Sequence, residues 1–364
     1  SSAGTGRGFL NHPKSIIPNN MSLIKQIIGG DRRALSQALT LIENDDHNSQ
    51  NILANVYRHT GQAHLIGITG IPGVGKSTLI NALAKLMRKR DDTLGLLAID
   101  PSSQFSQGAI LGDRIRMRDL LGDKGVFIRS MATRGVLGGL SATASAAVDI
   151  LDAAGFDRVI VETVGVGQSE VDIASNAQTS IVVLCPGLGD SIQAAKSGLL
   201  EIADIIVINK SDNPEVNLTK SYLHEMIDIG RAAQTRGSET QTTISDTHSV
   251  SNGNLDTDNS LWEVPIITTV ATTGEGVGDL FEQLLAHYNH IKSTGEMTRR
   301  RNSRLRAIFE SQLRKQLYTK LSQMLSEDYC LRQLEVIMEG ETDPYTAATN
   351  CIKHFETNYI GDEE

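Results

Sequence analysis

LIGITGIPGVGKSTL, residues 65–79, is the stretch that decides the fold. A short apolar run (Leu65, Ile66, Ile68) halts at a turn where Gly70, Gly73 and Gly75 stand in places a bulky side chain would obstruct, and Lys76, Ser77 and an apolar helical pattern follow. This is G-x-x-x-x-G-K-S between a strand and a helix. The spacing has a mechanical reason: the loop aims successive backbone N–H groups at phosphate oxygens, and the helix N-terminus adds the favourable end of its dipole. Lys76 then reaches the β- and γ-phosphates, and the Ser77 hydroxyl sits on Mg²⁺. The motif predicts a nucleoside triphosphate cradle from Gly70, Ile71, Pro72, Gly73, Val74, Gly75, Lys76, Ser77 and Thr78. It leaves the base open.

Working outward, LGLLAID (94–100) predicts a second buried strand with Asp100 at its carboxyl end, the edge at which open parallel sheets bind ligands. PSSQFSQGAILGDRIRM (101–117) is too polar and glycine-bearing for regular structure at first, with Asp113 and Arg114 near a helix start. It is read as a switch segment or a long connection. Val126–Arg129 is another strand, and the glycine loop after it becomes a helix of small residues. RVIVETVGVG (158–167) ends an apolar strand on Glu162, with Gly165 three residues on. A carboxylate there holds Mg²⁺ directly or through water, and the glycine lets a backbone N–H sense the γ-phosphate.

Ser180–Cys185 is a further strand, leading into PGLGDSIQAAKSGLLEIAD, where Asp190 and Lys196 lie six apart across a helix start. IIVINKSD (205–212) settles the base: N-K-x-D after an apolar strand puts Asn209, Lys210 and Asp212 at guanine, the Asp212 carboxylate accepting from N1–H and the 2-amino group. Adenine has neither donor and would leave that carboxylate unpaired, a cost of a few kcal/mol. The loop TTVATTGEGVGDL supplies a backbone N–H near Ala271 for guanine O6.

The totals narrow the class. The chain has 364 residues, is 40% hydrophobic and carries 33 glycines, which suits an α/β protein with appended helices. A formal charge of −9 argues against a broad nucleic-acid surface. Cys185, Cys330 and Cys351 form no C-x-x-C spacing and predict free structural thiols. No apolar run approaches the roughly 20 residues of a membrane span, so neither nucleic acid nor membrane is expected as a partner. Residues 1–20 are read as a tail or expression remnant, 21–60 as a helical N-terminal unit, 61–292 as the nucleotide domain, and 293–364 as a C-terminal helical arm. Within the nucleotide domain, the Ser/Thr/Asn/Asp-rich stretch at 234–260 is expected to be a mobile insertion. His287 and His290, one turn apart, are expected to be solvated. The arm's arginines are expected on a solvated face or an oligomer contact, and its stripe of Leu305, Ile308, Phe309, Leu313 and Leu317 predicts a dimer.

With these motifs placed, the sequence resembles the MeaB/ArgK family of P-loop GTPases. The most specific pieces are GDRRALSQALTLIE (30–43), the P-loop, IDPSSQFSQGAILGDRIRM (99–117), TRGVLGGL (133–140), ETVGVGQSE (162–170) and NKSD. The resemblance implies a SIMIBI-type, mostly parallel sheet with helices on both faces, and a C-terminal dimerisation arm. It implies a G-protein chaperone of methylmalonyl-CoA mutase or a related B12 mutase, which gates adenosylcobalamin loading and protects or reactivates the mutase. GTP/GDP and Mg²⁺ are the implied cofactors, with Lys76, Asp100, Asp113 and Glu162 catalytic and Ser77, Asp100, Asp113 and Glu162 around the metal. Ser102–Gly112 and Glu162–Gln168 would be two switches, and Gly187–Lys196 a third that acts through Asp190 and Lys196. The compartment implied is cytoplasmic, or the mitochondrial matrix for a eukaryotic source. Cys185, Leu188 and Ser211 depart from the family pattern without removing a charge or a phosphate donor. No glutamine is placed to orient water; Arg114 and Arg134 are the arginine-finger candidates. The rival readings are a nickel-loading GTPase, which needs a Cys/His cluster, and a protein kinase, as the ArgK name implies.

Overall fold

A computed structural model describes residues 20–46, 48–100, 117–132, 139–163, 177–187, 199–240, 262–325 and 328–359. The apolar runs become parallel strands: β1 (His64–Thr69), β2 (Leu94–Asp100), β3 (Val126–Ala132), β4 (Arg158–Thr163), β5 (Thr179–Leu184), β6 (Ile205–Asn209) and β7 (Ile266–Thr269). They form one seven-stranded sheet in the order β3-β2-β4-β1-β5-β6-β7. Every strand pairing is parallel, with Ile68 opposite Glu162 and Ile181.

Both faces are covered, which is why the strands read as continuous apolar runs rather than alternating ones. Ile66, Ile68 and Ile160 enter one core with Leu79, Leu83 and Met87 of α4 (Lys76–Arg88) and Leu280, Phe281 and Leu284 of α7 (Val277–Ser293). Their strand neighbours Leu65, Val159 and Val161 enter the opposite core. That core contains α5 (Gly139–Ala153) and the N-terminal helices α1 (Asn20–Ile28), α2 (Arg32–Glu43) and α3 (Asn48–Val56). The N-terminal helices therefore complete the sheet's own core. Asp31 caps α2, accepting from Arg33 N at 3.0 Å and Ala34 N at 2.8 Å. The buried Asp152 carboxylate of α5 accepts the N–H groups of Gly61, Gln62 and Ala63, which anchors the turn that enters β1.

The helix α6 (Val216–Thr240) runs on through Gln234–Thr240, the first seven residues of the expected insertion, whose remainder, 241–260, lies outside the described residues. One expectation is corrected here. His287 is fully buried rather than solvated, because it continues the inward spacing Leu280, Leu284, His287, Ile291.

His287 belongs to a polar chain along the amino-terminal edge of the sheet. Arg158 Nη1 lies 3.2 Å from His64 Nδ1, His64 Nε2 2.8 Å from Thr179 Oγ1, and Thr179 Oγ1 2.9 Å from His287 Nδ1. His287 Nε2 then approaches Asp204 Oδ1 at 3.2 Å. Arginine can only donate, so His64 Nδ1 accepts and its Nε2–H points at Thr179, whose hydroxyl is left to donate to His287. Burial, and then the Arg158 guanidinium, hold the His64 imidazole well below the ordinary histidine value of about 6.5. A proton taken up near 6.5 by the unfolded chain is thus refused by the fold, so stability is lost as pH falls below that value. The urea midpoint should fall between about pH 7 and about pH 5.5, and His64→Gln should flatten that slope.

After Gly295 the arm begins: α8 (Glu296–Leu325), α9 (Asp328–Met338) and α10 (Pro344–Tyr359). Here the solvated-arginine expectation is also corrected, since Arg300 and Arg304 are partly buried in pairs with Asp204 and Asp149. Phe309, Leu313 and Leu317 are exposed. The three cysteines are buried and form no disulfide. Among the described residues no helix is long and apolar enough to cross a membrane.

Candidate functional site

The opposite, carboxyl-terminal edge gathers the motif residues. β1 ends at Thr69 and the loop turns at Gly70, whose φ is +148° and whose missing Cβ would lie 2.2 Å from Val183 O on β5. The turn thus presses directly on the neighbouring strand. Gly70→Ala should cost at least about 2 kcal/mol of stability and displace the loop, lowering both the thermal midpoint and the GTP affinity.

Lys76 opens α4 with only 6% of its surface exposed, and its Nζ donates to Gly70 O at 2.6 Å and Ile71 O at 3.2 Å. The ammonium is therefore folded over the loop that it would share with phosphate. Ser77 Oγ donates to Glu162 Oε1 at 2.8 Å, and both side chains are buried. A hydroxyl and a carboxylate facing each other at the strand tips are hard oxygen donors of the kind Mg²⁺ selects. Asp100 ends β2 two residues beyond Ala98, which pairs with Glu162, so its backbone stands at the same carboxyl-terminal edge as Glu162. A pair the motifs did not reveal joins the two phosphate-side strands: Thr163 Oγ1 donates to Thr69 Oγ1 at 3.0 Å, fully buried.

At the N-K-x-D motif, Asn209 is the organising residue. Its Nδ2 donates to Val74 O at 2.8 Å, and its Oδ1 accepts from Thr269 Oγ1 at 3.2 Å and Ala271 N at 3.1 Å. A Cβ on Gly75 would sit 2.4 Å from that amide nitrogen, so this glycine makes room for Asn209. Lys210, at φ +58°, reaches back to Gly73 O at 2.8 Å and ties the base motif to the phosphate loop. Ser211 N donates to Thr269 O at 3.1 Å, which leaves Asp212 exposed beyond it. The Ala271 amide braces Asn209 here, so a contact to guanine O6 would share that amide between side chain and base. Thr269, which the sequence reading missed, carries no signal of its own, because a threonine ending a strand is commonplace.

The structure therefore brings together the P-loop, Glu162, Asn209, Lys210 and the Ala271 loop. Asp113, Gly165, Asp190 and Lys196, with Arg114 and Arg134, lie outside the described residues, as do Ser102–Gly112 and most of the other switch segments.

Residues 35–326 match the family described as "Methylmalonyl Co-A mutase-associated GTPase MeaB". A Pyrococcus horikoshii protein whose name carries the word GTPase is 41% identical over 90% of this chain and 95% of its own length. The mouse protein named "Methylmalonic aciduria type A homolog, mitochondrial" is 27% identical over 92% of this chain and 79% of its own. Among solved structures, the LAO/AO transport system kinase aligns with a TM-score of 0.56 at 23% identity, covering 93% of this chain and 97% of that one, which shows the shared fold. A parallel seven-stranded sheet, a G-x-x-x-x-G-K-S loop and an N-K-x-D motif at its strand ends, and a match over most of its length place the chain in the MeaB family of GTPases.

Proposed function

We propose that this protein is a nucleotide-gated chaperone of an adenosylcobalamin-dependent mutase, methylmalonyl-CoA mutase or a related enzyme. In this reading GTP binding and hydrolysis control cofactor loading and protect or reactivate the mutase. The observation that carries the proposal is the match of residues 35–326 to a family described by its association with that mutase. The mouse relative, named for methylmalonic aciduria, is in keeping with it.

In the proposed reaction GTP and water give GDP and phosphate. Loop amides between Gly70 and Thr78, Pro72 excepted, hold the phosphates, and Lys76 stabilises the charge that develops as the phosphoryl group transfers. Ser77, Glu162, Asp100 and Asp113 would hold Mg²⁺, which neutralises phosphate charge when bound. Asn209, Lys210, Asp212 and the Ala271 loop read guanine. Gly165 would report the γ-phosphate, and Asp190 and Lys196 would carry that report to the mutase. The domain boundaries follow the same division: nucleotide domain to about residue 292, then an arm whose exposed Phe309, Leu313, Leu317, Leu331 and Leu334 suit a second copy of the chain. The compartment proposed is the cytoplasm, or the mitochondrial matrix for a eukaryotic source.

Without a placed glutamine or arginine finger, intrinsic hydrolysis is expected to be slow. A cognate mutase should accelerate single-turnover GTP hydrolysis at least ~10-fold. Equal rates with and without the mutase would remove the chaperone reading and leave the GTPase.

A further inference from the structure

The arm's first helix is attached in an unusual way for a helix of its length. Among the described residues between Ile291 and Cys330, none is a buried hydrophobic. Half-buried Leu305 lines a shallow cleft with Ala63, Leu65 and Val148, and the remaining contacts that hold α8 to the body are made by charged side chains. Arg300 forks onto Asp204, Nη1 to Oδ2 at 2.6 Å and Nη2 to Oδ1 at 2.8 Å, and its Nη1 also donates to Gln178 O at 3.0 Å. One turn on, Arg304 Nη2 donates to Asp149 Oδ1 at 2.6 Å and to Ser145 O at 3.1 Å. Further along, Lys315 pairs with Asp45 at the end of α2.

The root of this attachment is pre-set from inside the body. Asp204 also accepts from Ser180 N at 2.8 Å and faces His287, the end of the chain that begins at Arg158. Burial opposes its ionisation, but His287 and Arg300 outweigh burial and hold the carboxyl below its usual range. The joint is equally well defined. α7 and α8 are separated by Thr294 and Gly295, and Gly295 has φ +75° with nothing near its absent Cβ. Beside the joint lies a cavity of about 440 Å³ lined by Trp262, His290, Gly295 and Arg299.

We propose that α8 is a hinged strap, pivoting at Gly295 and held shut against the amino-terminal edge of the sheet by a three-point latch: Asp204–Arg300, Asp149–Arg304 and Asp45–Lys315. The Arg300 point of the latch grips Gln178 and Asp204, the residues immediately before β5 and β6, the strands whose far ends carry Pro186–Gly187 and the N-K-x-D motif, while Asp149 lies on α5 and Asp45 just after α2. Because the grip is largely ionic, charge removal opens it; salt loosens its exposed outer point and screens the two partly buried pairs much less. The body keeps its own two cores when the strap is open, so nucleotide binding persists.

The test uses the full chain with spin labels on Lys89→Cys and Lys320→Cys, both exposed, while the three native cysteines stay buried. Excess unlabelled protein isolates distances within one chain. At ~0.05 M salt one narrow distance is expected; Arg300→Gln with Arg304→Gln should broaden and lengthen it, with GTP affinity within about twofold of the parent. Raising salt to ~0.5 M should shift the parent in the same direction but less than the double variant, and Lys315→Ala should need less salt to do so. Glu310→Gln, whose partners Arg306 and Arg314 lie on α8 itself, should leave the distance unchanged. An unaltered narrow distance in the double variant and at high salt, or equal broadening by Glu310→Gln, overturns the proposal. Loss of GTP binding together with the distance also overturns it, since the arm would then be part of the body's core.

Discussion

Lys76→Ala should reduce single-turnover GTP hydrolysis by roughly 10³-fold or more and weaken GTP binding more than GDP binding. The side chain is the first residue of α4 and almost wholly buried, with its ammonium held by the Gly70 and Ile71 carbonyls. An ammonium is tolerated in so dry a place only when it is bonded, and these carbonyls belong to the loop whose amides turn towards phosphate. As the bond to the leaving GDP breaks, negative charge grows on the oxygen that bridged the β- and γ-phosphates, and a fixed cation in a low-dielectric site beside the phosphates stabilises that charge far more than water does. Losing one such preorganised donor costs about 10²–10³ in rate, and losing a full charge costs more. Lys76→Arg tests whether charge alone suffices: the larger guanidinium does not fit the space between two carbonyls of a tight loop, so rescue should be below about a tenth of the parental rate. Rapid-quench assays with radiolabelled GTP measure both variants. A rate for Lys76→Ala within tenfold of the parent would remove Lys76 from the reaction.

Much of the site was legible because phosphate and base recognition impose spacing as well as composition. Gly70, Gly75, Lys76 and Asn209 are dictated by how closely backbone must approach ligand or neighbour, and such demands survive as fixed offsets along the chain. The strands were legible for another reason: burial on both faces turns each into an uninterrupted Val/Ile/Leu run. What stayed hidden depends on partners distant in sequence. Arg300 meets a carboxylate 96 residues away and Arg304 one 155 residues away, so the arm looked like a solvated cationic helix. His287 was misread although its spacing with Leu280, Leu284 and Ile291 marks an inward stripe; its polarity outweighed its position. The stretch after Gln234 lacks apolar residues and so was not expected to order, yet α6 continues to Thr240. Extending an existing helix adds a hydrogen bond per residue without the cost of nucleation, and needs no buried face. The Thr69–Thr163 bond had no signal at all, since neither residue is unusual at a strand end.

Asp212→Asn should weaken GTP binding by about 10²-fold or more and make the protein accept xanthosine triphosphate in its place. Asp212 stands one residue past Ser211, whose N–H is fixed to Thr269 O, and two past Lys210, anchored at Gly73 O. Its backbone is thus held from both the β7 side and the phosphate loop, while the carboxylate itself is exposed. Guanine offers two donors in one plane, N1–H and the 2-amino group, and an ionised carboxylate accepts both. An amide in the same position accepts one and turns its NH₂ against the other, which leaves two donors opposed. Xanthine carries an oxygen where guanine carries the amino group, so the amide finds one donor and one acceptor and its pairing is restored. Phosphate contacts are untouched, and hydrolysis of xanthosine triphosphate by Asp212→Asn should approach the parental GTP rate. Calorimetry with both triphosphates on both proteins reads the exchange directly. If Asp212→Asn kept parental GTP affinity, guanine would be read elsewhere, and the bracing of Asn209 by Val74, Thr269 and Ala271 would be structural support without a base to support.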